Sequence, residues 1–106
     1  MARIAALVPD LFFASKVEAT LRAAGHEVVA VDSPQEAAAA DAVVLIADLK
    51  ASAPEDLAAA GIPVLGFYPH TDVEIRSRAE EAGLDLFVPR SRAARELPEL
   101  VAGLLG

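Results

Sequence analysis

The chain has 106 residues, enough for one domain with a real core and not for two. Hydrophobic residues make up 55% of it, which excludes a disordered chain, and a net charge of −7 argues against binding a phosphate backbone. There is no cysteine, and the two histidines, His26 and His70, have no metal-ligand spacing, so disulfides, thiolate metal sites and a cysteine nucleophile are excluded.

No stretch approaches the ~18–20 apolar residues of a membrane span. The opening MARIAALVPD is too short for a signal sequence. The default reading is a soluble cytoplasmic protein. Seven Arg against two Lys, with abundant Ala, suits a GC-rich bacterial genome.

A Val/Ile/Leu-rich run followed by a helically spaced segment recurs five times along the chain. Residues 3–8, RIAALV, read as a first strand buried on both sides, since polar and apolar positions do not alternate. Pro9-Asp10 ends it. Over 11–24, Phe13, Val17, Leu21 and Ala24 share one helix face, and Gly25 supplies the left-handed residue after it. Residues 27–31 are the second strand. Ser33-Pro34-Gln35-Glu36 is a capping box that starts a short Ala-rich helix ending near Ala40.

Residues 42–47, AVVLIA, are the third strand. Ser52-Ala53-Pro54-Glu55 reads as a second capping box, for a helix that stops at Gly61. The fourth strand covers 63–67. Thr71-Asp72-Val73-Glu74 reads as a third capping box, with Ile75, Ala79 and Ala82 lining one face of the helix that Gly83 ends. Residues 85–88 are the fifth strand, and 89–92 a loop. Pro98 splits the last helical segment into a turn at 92–97 and a main helix beyond it.

Alternating strands and helices with short connections give a parallel sheet covered on both faces. The expected fold is an α/β three-layer (βα)5 sandwich, flavodoxin-like, with strand order 2-1-3-4-5 and residues 1–106 as one domain. Ligands in such sheets bind outside the carboxyl ends of the strands. That places Asp10, Asp32, Asp48, Tyr68, His70, Arg90, Ser91 and Arg92 on the candidate surface.

The phrases LRAAGHEVVAVDSPQEA (21–37), DAVVLIADL (41–49), GIPVLGFYPH (61–70) and EEAGLDLFVPRS (80–91) carry a resemblance to the receiver domains of response regulators. The resemblance implies a signalling module phosphorylated on an Asp at the end of strand 3, with Mg²⁺ held by an acidic pair at the end of strand 1. Counted back from Gly25, that pair falls on Val8 and Pro9, which offer no side-chain oxygen to a hard cation. Asp10 follows them, in a helix-capping place. The acceptor falls on Asp48, although counting from Asp41 reaches Ile46. The family's switch hydroxyl falls on Tyr68. Its Lys is replaced by Arg90, in the reversed order Pro89-Arg90.

The chain is therefore expected to resemble a stand-alone pseudo-receiver: non-enzymatic, without metal or cofactor, and without efficient Mg²⁺-dependent phosphorylation of Asp48. Its partner would be a protein or a second copy of itself. The pairing face that the resemblance implies would carry Arg76, Arg95 and the apolar segment from Leu97. The alternative is a sensor of a small anion, using Tyr68, His70, Arg90 and a helix N-terminus at Ser91. A weak phosphoacceptor using Asp10 and Asp48 ranks third.

Three smaller expectations complete the reading. The C-terminal arginines pair with Glu74, Glu80, Glu81 and Glu96 if they bind no anion. Phe12 is the residue of the Leu11-Phe12-Phe13 group that faces solvent. His26 is exposed and has no assigned role.

Overall fold

The computed structural model describes residues 2–106. Strands β1 (Arg3–Leu7), β2 (Glu27–Ala30), β3 (Val44–Asp48), β4 (Val64–Tyr68) and β5 (Leu86–Pro89) form one parallel sheet in the order β2-β1-β3-β4-β5. Helices α1 (Leu11–Ala23), α2 (Pro34–Ala39), α3 (Pro54–Ala58), α4 (Val73–Ala82) and α5 (Arg90–Leu105) connect and cover it. This is the expected three-layer sandwich.

Two apolar layers hold it together, because successive strand residues point to opposite faces. On one side Ile4, Val28, Val44, Ile46, Leu65 and Phe67 pack against Phe13, Val17 and Leu21 of α1 and Ala93, Leu97, Leu100 and Val101 of α5. On the other, Ala5, Leu7, Leu45, Ala47, Val64 and Tyr68 pack against Ala37, Leu57 and Ala79 of the remaining helices. Gly66 of β4 belongs to this second side. A Cβ there would come within 2.8 Å of the Leu49 side chain, so the missing side chain is what lets Leu49 lie across the strand.

Local chemistry moves several boundaries. The chain turns at Asp41 in the left-handed region (φ 59°), which Asp tolerates, so β3 starts at Val44 and runs on to Asp48. α1 stops at Ala23, so Ala24 is an exposed cap and not part of the buried stripe. Ser33 caps α2 as expected, accepting from the Glu36 N–H at 3.3 Å. The Glu36 carboxylate, however, reaches back to the N–H of Asp32 and not of Ser33.

The second capping box does not form. α3 starts at Pro54, so the cap position is Ala53, which has no side-chain oxygen. The third shifts by one residue: Asp72, not Thr71, caps α4, accepting from the Ile75 N–H at 3.1 Å. Residues 90–92 are the first turn of α5 and not a loop. That helix does break at Glu96 (φ −120°, ψ 21°), ahead of Pro98.

Candidate functional site

The carboxyl ends of the strands carry the expected surface. Where β1, β2 and the β3–α3 loop meet, a cavity of about 160 Å³ is lined by Leu7, Val8, Pro9, Val31, Asp32, Ala51 and Ser52. This lies where the strand order departs in both directions from β1, the place the topology reserves for ligands. Five of its seven lining residues are apolar in type, and Asp32 is the one charged residue among them.

Asp10 follows directly. Its Oδ1 accepts from the N–H groups of Phe12 (3.0 Å) and Phe13 (3.2 Å), which caps α1. Its Oδ2 accepts from an Arg90 Nη at 2.7 Å. Arg90 opens α5, and its guanidinium carbon lies 4.3 Å from the centre of the Phe13 ring and 5.8 Å from that of Phe67. The Arg90 hydrogen bond, then those from Phe13 and Phe12, hold the Asp10 carboxyl below its ordinary pKa.

Asp48 closes β3 beside Phe67 of β4 and is half-buried. Its Oδ1 accepts from the Lys50 N–H at 2.9 Å, and its carbonyl from the N–H groups of Ala51 and Ser52. Ile46, reached by counting from Asp41, is an apolar mid-strand residue in the core. Asp48 is therefore the carboxylate of that strand end, already engaged in a local turn.

The other expected site residues do not converge. Tyr68 is 5% exposed and belongs to the layer under α3 and α4, with Leu49, Leu57, Ala79 and Leu84. Arg90 lies over Phe13 and Phe67, on the opposite face of the sheet. Tyr68 and Arg90 thus stand on opposite faces of the sheet, although Tyr68 pairs with Pro89 beside Arg90. The strand runs one residue further than expected, so Tyr68 still follows its inward alternation. His70 is exposed. Ser91 is exposed as the second residue of α5, whose cap position, Pro89, offers no side-chain hydrogen bond.

Of the interface residues, Arg76 and Arg95 are exposed, but Leu97 is 2% exposed and offers no surface to a partner. Ala93, Leu97, Leu100 and Val101 form the inward stripe of α5. Among the expected arginine pairs, Arg92 and Arg95 meet Glu96 at 3.4 and 3.3 Å. Arg78 instead meets Glu55 of α3 at 2.8 Å. Phe12 is exposed as expected, at 92%, with Leu11 beside it. His26 is half-buried and not exposed, and its Nδ1 is shut from solvent without a hydrogen-bond partner.

The end of β1 does not fit a divalent cation. Val8 and Pro9 provide no side-chain donor, and both Asp10 oxygens are engaged with cationic or N–H donors. Among the described residues, no three of His, Cys, Asp and Glu come together in a way that could hold a metal. Nor, among them, is any helix long and apolar enough to cross a membrane.

No protein-family model and no curated protein matches the chain. Solved structures do. A response regulator signal receiver domain from Bermanella marisrubri superposes with a TM-score of 0.83 at 15% identity, covering 98% of each chain. The receiver domain of a sensor histidine kinase from Pseudomonas aeruginosa, solved with magnesium coordinated in its active-site cleft, gives 0.80 at 14% identity, with 99% and 98% covered. NtrX from Brucella abortus gives 0.80 at 18% identity; 98% of this chain aligns, but it spans only 27% of NtrX. The chain has the fold of the response-regulator receiver domains.

Proposed function

We propose that the chain is a non-enzymatic cytoplasmic signalling module that works by binding a protein, a second copy of itself included, and that Asp48 is not an efficient phosphoacceptor. One observation carries the second half. At the end of β1, Val8 and Pro9 offer no side-chain oxygen, and the acid that follows them, Asp10, is committed to its helix and to Arg90. Aspartyl phosphorylation needs a cation to offset charge on the transferring phosphoryl group, and the end of β1 presents no free carboxylate to hold one.

The anion-sensor reading is the second choice. Tyr68 and Arg90 lie on opposite faces, the Arg90 charge is met by Asp10, and the cavity carries an acid. The test is incubation with acetyl phosphate and Mg²⁺ followed by intact mass spectrometry. The reading predicts unmodified protein. A phosphoryl adduct that disappears in Asp48→Asn would refute it.

A further inference from the structure

Asp10 and Arg90 stand eighty positions apart and join the starts of α1 and α5 through a 2.7 Å contact. An exposed ion pair usually contributes little, because two flexible side chains must be ordered to make it. Here the ordering is built in. The carboxylate is fixed by two N–H groups of its own helix. The guanidinium lies on the rings of Phe13 and Phe67, which are buried and meet edge to face at 4.8 Å. The nearby Arg92 and Arg95 are drawn to Glu96 on their own helix and do not compete for Asp10.

We propose that Arg90 is a built-in cation: with Asp10 it forms a metal-independent clamp that fixes the first turn of α1 against the start of α5. The consequence is that the exposed Leu11 and Phe12 are held in one arrangement without any ligand. The clamp does not rest on the signalling reading, since it stands whatever Asp48 does. Arg90 is a positioning residue that acts through Asp10.

The test is amide hydrogen exchange, followed by NMR on the full chain, in EDTA and in Mg²⁺. In Arg90→Gln the amides of Phe12, Phe13 and Ala14 should exchange about tenfold faster, a local opening, while those of α2 and α3 keep their rates. Arg90→Lys should recover part of the protection, since it keeps the charge and loses the planar stack. Arg92→Gln should change nothing in α1. Wild-type rates should be equal in EDTA and in Mg²⁺. First-turn rates in Arg90→Gln equal to wild type, acceleration spread evenly over all helices, or wild-type protection that depends on Mg²⁺ would each overturn the clamp.

Discussion

On one face of the sheet, α1 and α5 lay 13 and 16 residues of helix over large side chains such as Ile4, Leu65 and Phe67. On the other, α2, α3 and α4 have six, five and ten residues and cover a layer in which Ala5 and Ala47 stand beside Leu7, Leu45 and Tyr68. Helices of one or two turns have almost no stability of their own, so α2 and α3 exist by docking on the sheet. The long pair is tied at its starts by Asp10 and Arg90, at the carboxyl ends of the strands. The first face is therefore expected to hold its position, and the second, at α2 and α3, to adapt.

The sharpest way to break this contrast is to make the same deletion on each face. Leu21 of α1 and Leu57 of α3 are both 0% exposed. Leu→Ala in a core costs about 2–5 kcal/mol, with the spread set by how far the surroundings collapse into the cavity. Urea unfolding should place Leu21→Ala near about 4–5 kcal/mol and Leu57→Ala near about 2–3, because a five-residue helix can settle inward. Equal costs would remove the distinction.

Caps give a smaller effect within the adaptable face. Ser33→Ala deletes the bond to the Glu36 N–H and should cost about 1 kcal/mol. Ser52→Ala should stay within about 0.5 kcal/mol, since α3 is capped at Ala53 without a side chain.

The smallest effect concerns the clamp. Asp10 has a lowered pKa in the folded protein, so its contribution is present above the ordinary carboxyl value of about 3.9 and fades as pH falls through the lower folded value. Asp10→Asn keeps a capping oxygen but loses the charge. Its melting temperature should lie below wild type at neutral pH, and the gap should close on acidification. A gap that widens in acid would reverse the assignment.

The core and strand order were legible because strands buried on both faces read as unbroken apolar runs. Cap positions were legible only in part. Ser33 and Asp72 carry the oxygen a helix start needs, but Ser52 is displaced because α3 begins at Pro54 itself. Leu97 could have been placed inward from the 93, 97, 100, 101 stripe, and Gly66 hinted at a close approach on β4. Tyr68 could not be placed until the length of β4 was known, because one residue more or less decides whether it still alternates inward. The Asp10–Arg90 pair left no local signal, for it depends on α1 and α5 sharing a face.

We propose that the end of β1 and Asp48 take up neither a cation nor a phosphoryl group. The most direct test is titration of ¹⁵N-labelled protein with Mg²⁺ and beryllofluoride, read by amide chemical shifts. The spectrum around Val8, Asp48 and Phe67 should not change. Saturable shifts converging on Asp48 that require both Mg²⁺ and beryllofluoride would contradict it.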